Sequence, residues 1–157
     1  MNRYLAIYLN DHLAGATLGV ELARRAAREH ATTELGPFLR ELTGEVESDY
    51  AALRELMRDL GVSEQRVKLA AAWAAEKVGR LKPNGHLVKR SPLTPLVELE
   101  GLRVGVFGKR QLWETLLAVH LRDDVRGRVE ELAARADRQL EAIEDRRRAA
   151  AASVAAR

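Results

Sequence analysis

Apolar residues recur every three to four positions along most of the chain, which is the pattern of amphipathic α-helices. Glycine, proline and polar turn residues divide this pattern into five segments. The first predicted helix covers residues 3–30. The second begins between Thr33 and Pro37, because proline is best tolerated in a first turn, and it stops at Gly61.

The other three predicted helices are bounded by similar signals. Ser63 is a suitable N-cap for the third, EQRVKLAAAWAAEKVGRL, which ends before a loop at KPNG. Ser91 and Pro92 open the fourth by the preference for a capping serine followed by proline. After a break near HLRDD, the fifth places its apolar residues in register as far as Arg148.

The lengths of the connections predict how the helices are arranged. Two long helices share a short turn, a long span with a shorter helix follows, and two more long helices share a second short turn. This order predicts an all-α four-helix bundle with ferritin-like connectivity and an additional shorter helix in the long crossover. A plain five-helix array is the alternative. One domain over residues 1–148 is expected, and the Ala-rich tail at 149–157 should fray.

Composition narrows the classes of protein that need to be considered. The chain contains no cysteine, so disulfides, zinc–thiolate sites and cysteine nucleophiles are excluded. The N-terminal stretch does not have the pattern of a secretory signal, and no window is apolar enough for a membrane span. A cytoplasmic protein is expected. The net charge of +3 is small beside 26 basic and 23 acidic residues, so it does not demand an anionic partner.

The order of helices is similar to that of the ferritin-like superfamily. The stretches YLNDHLAGATLGVELARR, KLAAAWAAEKVGRLK and SPLTPLVELEGL also look like a family of small uncharacterised bacterial helical proteins. The second resemblance covers nearly the whole chain and implies a bacterial origin, but it brings no known activity. The first is architectural, and the metal-binding motifs that go with it have to be sought in the residues.

Those motifs are absent. Di-metal carboxylate bundles use a Glu-x-x-His pair on each of two helices, and none of the four histidines here has a carboxylate three positions before it. A metal-binding or oxidoreductase protein with a reduced ligand set is kept as an alternative. Its candidate ligands are Glu45, Asp49, Glu98 and His12.

Four polar residues fall on the apolar faces of the predicted helices and form a predicted buried polar network: His12, Asp49, Glu98 and Lys109. Asp49 and Lys109 come within reach of each other in an antiparallel bundle, and Lys109 and His12 could also approach. Glu98 lies about 20 Å from His12 along the bundle at the helical rise per residue. We expect a buried ion pair with a hydrogen-bonded histidine, since buried charges are partnered.

Glycines are unusually frequent in two of the predicted helices. Gly15 and Gly19 lie in the first, and Gly101, Gly105 and Gly108 lie in the fourth. Each costs a helix about 1 kcal/mol relative to alanine, so some feature should offset the cost. Closely packed backbones are one explanation and a kink that opens a pocket is the other. Because both sets occur at helical spacing, close packing of these two helices is favoured.

The remaining chemical signals are weak. The serines have no neighbouring histidine, and no glycine-rich phosphate loop is present, so an enzyme is not favoured. Arg80, Lys82, Lys89 and Arg90 form a basic loop without acids, which is an alternative anion-binding module. No aromatic residues accompany it, which argues against nucleic acid. We expect a non-enzymatic structural or interaction protein with no cofactor, with a homodimer or another protein as its partner.

Overall fold

A computed structural model of the chain describes residues 3–64, 91, 93–119 and 121–155. These residues form four α-helices, and within these ranges there is no β-strand. The all-α class expected from the apolar periodicity is confirmed. The helices are α1 (Arg3–Glu29), α2 (Gly36–Asp59), α3 (Leu93–Leu117) and α4 (Asp123–Ala155).

The helix ends follow from local residue chemistry. Gly61 adopts the left-handed conformation (φ +68°) that lets α2 end. The Gly61 amide donates to the Arg58 carbonyl at 2.9 Å, and the Val62 amide donates to the Met57 carbonyl at 2.8 Å. This pair of bonds is the Schellman motif. The Ser91 hydroxyl accepts a hydrogen bond from the Leu93 amide at 3.3 Å, as expected of a residue that starts α3.

Two sequence predictions, the frayed tail and the third helix, have different outcomes. The tail after Arg148, which was expected to fray, is helical as far as Ala155. Alanine has the highest helix propensity, and Ala150 packs against the core, so the helix continues. The predicted third helix falls almost entirely on residues 65–81, which lie outside the described residues.

Side-chain contacts give the relative directions of the helices. The Tyr8 hydroxyl bonds to the Thr115 hydroxyl at 3.1 Å, whereas His30 bonds to Glu98, so α1 and α3 are antiparallel. Short turns make α1 antiparallel to α2 and α3 antiparallel to α4. Consequently α2 and α3 run in the same direction.

The core lies along the axis between the four helices. Its largest fully buried side chains come from every helix, and they include Leu9, Leu13, Leu53, Leu112, Trp113, Val129 and Ile143. Partly buried apolar side chains, among them Leu5, Val46 and Leu140, pack against these residues. Within the described ranges, no helix is long and apolar enough to cross a membrane. The fold therefore places α1, α2 and α3 around a shared interior, where the candidate site lies.

Candidate functional site

A cavity of about 220 Å³ lies between α1, α2 and α3. Five glycines contribute to its wall, and for that reason we call it the glycine cavity: Gly15 and Gly19 from α1, and Gly101, Gly105 and Gly108 from α3. Leucine, valine and aromatic side chains from the three helices make up most of the remaining wall. The cavity reaches the surface, since Gly15, Val104 and Gly105 are exposed.

The prediction that these glycines allow α1 and α3 to pack closely is wrong for four of the five. A methyl group built on Gly15, Gly19, Gly105 or Gly108 would meet no atom within 4 Å among the described residues. Only Gly101 has a near neighbour there, Leu22 Cδ2 at 3.3 Å. The glycines border open space, so the alternative of a pocket fits the structure. Helical periodicity shows which residues face each other, but it does not give the distance between them.

Gly19 and Gly108 are the most informative of the five. Both are partly buried, so the open space beside them belongs to the cavity and not to bulk solvent. Alanine at either position would favour the helix by about 1 kcal/mol without a steric clash. By contrast, Gly44 and Gly127 are exposed helical glycines away from the cavity. They provide a natural control for the cost of glycine in a helix.

A buried group of charged and polar residues adjoins the cavity. We call it the Asp49 cluster, and it consists of Glu45 and Asp49 from α2, Lys109 from α3, and Arg135 and Gln139 from α4. Asp49 is 2% exposed, and its carboxylate accepts hydrogen bonds from Lys109, from Arg135 (Nε, 2.7 Å) and from Gln139 (Nε2, 3.2 Å). These partners use the acceptor capacity of the carboxylate.

Gln139 connects the members of the cluster in both directions. Its amide oxygen accepts from Lys109 Nζ at 2.5 Å, while its amide nitrogen donates to Glu45 Oε2 at 2.8 Å. Burial lowers the pKa of Lys109, and the attraction of Asp49 opposes that shift. The cluster is a bonded network with two carboxylates and two cations, as a buried group of charges requires.

His12 lines the glycine cavity, and Lys109 and Asp49 line the same cavity. It is half-buried, and its ring meets the Tyr8 ring edge-on with centroids 4.5 Å apart. Burial lowers its pKa from the ordinary value, and the Asp11 carboxylate opposes this effect. The neutral imidazole is therefore favoured at pH 7, with one ring nitrogen as donor and one as acceptor.

Trp113 forms an aromatic part of the cavity wall and is 1% exposed. Its indole nitrogen is buried and finds no hydrogen-bond acceptor among the residues that the structure describes. A buried donor without an acceptor costs about 1–3 kcal/mol. Like the helical glycines that line the same cavity, the unpartnered indole nitrogen therefore carries a local cost.

Glu98 does not contact His12, Asp49 or Lys109, in keeping with the separation from His12 along the bundle that the sequence predicted, but its partner His30 was not predicted. It pairs with His30 at the other end of α1, where the His30 Nε2 to Glu98 Oε2 distance is 2.9 Å. His30 Nδ1 lies 3.2 Å from the Thr33 hydroxyl. Burial raises the pKa of Glu98, and the hydrogen bond with His30 opposes that shift. Sequence reasoning missed His30 because it falls at a helix end, beyond the regular apolar stripe.

The four candidate metal ligands do not form one group. Glu45 and Asp49 belong to the Asp49 cluster, His12 faces the glycine cavity, and Glu98 pairs with His30. Within the described part of the chain, no group of three or more histidine, aspartate or glutamate side chains could hold a metal ion. The predicted anion patch, Arg80, Lys82, Lys89 and Arg90, lies outside the described residues.

A second, wider depression of about 940 Å³ lies near the α1–α2 turn and the end of α4. Many of the residues that line it, such as Thr33, Glu34 and Pro37, are exposed. It is an open surface groove, unlike the enclosed apolar pockets that bind small molecules. The glycine cavity is therefore the better candidate site.

Arg135 and Gln139 are members of the Asp49 cluster that sequence reasoning missed. Gln139 lies three residues after Ala136 and four before Ile143, both buried, so the helical period places it on the inward face of α4. This signal was sufficient to identify it. Arg135 is half-buried at the edge of that face, and its long side chain reaches Asp49 from there.

The geometry of the cavity and the cluster can be set beside known proteins. Comparison with protein families, with curated proteins and with solved structures returned no match to this chain. The case for a function therefore depends on the cavity, its glycines and the buried charges next to it.

Proposed function

We propose that this chain is a non-enzymatic helical bundle that binds a small apolar molecule in the glycine cavity. The observation that carries the proposal is the open space beside the partly buried Gly19 and Gly108. Natural sequences depart from local preferences mainly at functional or strained sites. Glycine at these two positions forgoes available helix stability and keeps the space open.

The size of the cavity indicates the size of the ligand. An apolar cavity of about 150 Å³ stays dry and binds benzene. The glycine cavity measures about 220 Å³, which scales to a ligand of about nine non-hydrogen atoms. Trp113 and Tyr50 line it together with aliphatic side chains, as is typical of sites for flat apolar molecules.

The charged groups nearby support binding in preference to catalysis. Asp49 is bonded to Lys109, Arg135 and Gln139. A catalytic base needs an accessible lone pair within reach of its substrate, and this carboxylate has used its acceptor sites on the protein. The Asp49 cluster instead holds Asp49 and Lys109 in place in the wall of the cavity.

Titration with cumene, an apolar probe of suitable size, tests the proposal. Cumene should shift the backbone amide resonances of Gly19 and Gly108 in ¹H–¹⁵N spectra and should raise the Tm. Gly108→Leu should abolish both effects because the new side chain fills the cavity. No shift of either glycine resonance in the unmodified chain near the aqueous solubility of cumene would overturn the proposal.

Gly127→Leu is the matched control for that experiment. Gly127 is also a helical glycine with open space beside it, but it is exposed on α4 and away from the cavity. This variant should bind cumene as the unmodified chain does. Equal loss of binding in both variants would show that the substitution acts through the whole bundle.

An interaction role, the expectation drawn from the sequence, is the second candidate. Val97, Val104 and Phe107 of α3 are 61%, 72% and 54% exposed. They fall within an arc of about 80° at the helical period, and exposed apolar patches mark interaction surfaces. We propose self-association through this stripe. Light scattering over a range of concentrations should show a dimer that Val104→Glu abolishes, and a monomer throughout would contradict it.

We also propose the finer description of the fold that the sequence suggested. The parallel direction of α2 and α3 supports ferritin-like connectivity, because a chain that joins them must return along the bundle. Glu64 bonds to Arg54 near the end of α2, while Ser91 lies with His30 at the opposite end. An extra helix within residues 65–90 and a cytoplasmic, bacterial protein remain predictions from the sequence.

A further inference from the structure

The glycine cavity has one polar side, formed where Asp49 and Lys109 reach its wall. The Asp49 carboxylate has used its acceptor sites on protein donors. The Lys109 ammonium has three N–H groups, and it donates to Asp49 and to Gln139 Oε1. Within the Asp49 cluster, the group left for a ligand is therefore a donor, and a ligand that bonds to it must bring an acceptor.

The balance of charge around the cavity restricts the ligand further. The carboxylates of Glu45 and Asp49 are matched by the cations of Lys109 and Arg135 within one bonded network. An anionic ligand would add a charge with no counter-ion in an apolar cavity, which is costly. A neutral acceptor, such as a ketone or aldehyde carbonyl, can accept a hydrogen bond without that cost.

We propose that the ligand of the glycine cavity is a neutral aromatic compound that carries one carbonyl acceptor, which binds the remaining N–H of Lys109. This inference rests on the proposed binding function and adds the chemical class of the ligand to it. The aromatic ring occupies the apolar part of the cavity beside Trp113 and Tyr50. The carbonyl lies on the side formed by α3 and the Asp49 cluster.

Three probes of nearly equal size test the proposal: cumene has no acceptor, acetophenone has a neutral carbonyl, and benzoate is an anion. Dissociation constants are measured from the amide shifts of Gly19 and Gly108 in the full chain. Acetophenone should bind at least about tenfold more tightly than benzoate, since burial of an unpaired charge is costly. Benzoate binding equal to or tighter than acetophenone binding would overturn the proposal without any variant.

Lys109→Met tests the donor itself. It removes the ammonium and keeps a long apolar side chain, while Asp49 retains Arg135 and Gln139 as partners. The preference for acetophenone over cumene should fall about tenfold, the worth of one hydrogen bond from a charged donor. The control is Arg110→Met, next to Lys109 but paired with Asp137 and Glu114 on the surface. It should leave the preference unchanged.

The outcomes separate this inference from the function on which it rests. If cumene fails to bind the unmodified chain, the binding function itself is wrong. If cumene binds and Lys109→Met leaves the ratio of the two dissociation constants unchanged, the function stands and the carbonyl assignment is wrong. A tenfold fall in the ratio with cumene affinity preserved supports both.

Discussion

The Asp49 cluster and the glycine cavity are neighbours in one bundle and share Asp49 and Lys109, yet they use interior space in opposite ways. In the cluster, every charged group has a partner of opposite charge or a hydrogen bond. In the cavity, the backbone at Gly19 and Gly108 leaves space that no side chain of the described residues fills. In one region the charged groups satisfy one another, and in the other the helical glycines forgo helix stability.

This difference separates a structural from a functional interpretation of buried polar residues. A charge at an inward helical position suggests a site, but in the cluster the charges satisfy one another. The space that could receive a ligand is next to them, where the sequence shows only glycine. A bundle that places a saturated network beside an unfilled cavity gains a rigid wall for that cavity.

The largest expected effect comes from removing the centre of the cluster. Asp49→Ala leaves Lys109 and Arg135 buried or half-buried without their shared carboxylate. Breaking a buried ion pair on one side costs about 3–5 kcal/mol, so the free energy of unfolding should fall by that amount. Urea denaturation followed by circular dichroism at pH 7 measures it.

Asp137→Ala is the control. Asp137, like Asp49, pairs with an arginine, in this case Arg110 of α3, but its side chain is 51% exposed. Exposed pairs contribute about 0–1 kcal/mol, so little change is expected. A loss for Asp49→Ala as small as that for Asp137→Ala would mean that the two carboxylates do not differ. The contrast between a structural cluster and an open cavity would then fail.

The cavity should respond in the opposite direction. Gly19→Ala and Gly108→Ala should each raise the free energy of unfolding by about 1 kcal/mol, since their methyl groups meet open space. The double variant should gain about 2 kcal/mol and bind cumene more weakly. Thermal and urea unfolding measure the gain, and the glycine-cavity titration measures the loss.

Gly127→Ala sharpens this test because it changes helix propensity alone. It should gain about the same 1 kcal/mol and keep its affinity for cumene. Destabilisation by Gly19→Ala or Gly108→Ala would show that the space is already in use by neighbouring atoms. In that case the glycines would be packing residues, as the sequence first suggested.

Much of the fold could be predicted because it depends on local signals. Capping residues and apolar spacing placed the boundaries of α1 to α4 within a few residues, except for the C-terminal end of α4, and Gly61 ended α2 for a conformational reason. The tail after Arg148 was misjudged since its position near the end of the chain was given more weight than the high helix propensity of alanine. Because helix α3 is apolar on more than one side, its sequence pattern did not indicate that Val104 and Phe107 are exposed.

The candidate site was less predictable, because it depends on distances between helices. Periodicity placed Asp49 and Lys109 on facing sides, and the structure puts them in contact. It could not show that open space lies beside four of the five glycines, since the direction in which a residue faces does not give the distance to its neighbours. His30 and Arg135 were missed because a helix end and a long side chain both reach beyond the regular stripe.

Glu98 extends the comparison to a second buried carboxylate, which is 8% exposed where Asp49 is 2% exposed and which is hydrogen-bonded to His30. Burial raises its pKa, with Glu29 adding to the shift and His30 opposing it. The folded chain therefore takes up a proton at a higher pH than the unfolded chain does. Stability from this group is fully present below the unfolded pKa and is lost as pH rises through the folded pKa.

Glu98→Gln removes that titration and keeps a side chain that can bond to His30. The free energy of unfolding of the variant minus that of the unmodified chain should rise as pH increases above about 4.5, the ordinary value for glutamate. Urea midpoints between pH 4 and 8 measure it, with Glu114→Gln as an exposed control. A flat difference would mean that Glu98 is as well satisfied by His30 as Asp49 is by its three partners. The two buried carboxylates would then belong to the same structural class, and the number of partners would not distinguish them.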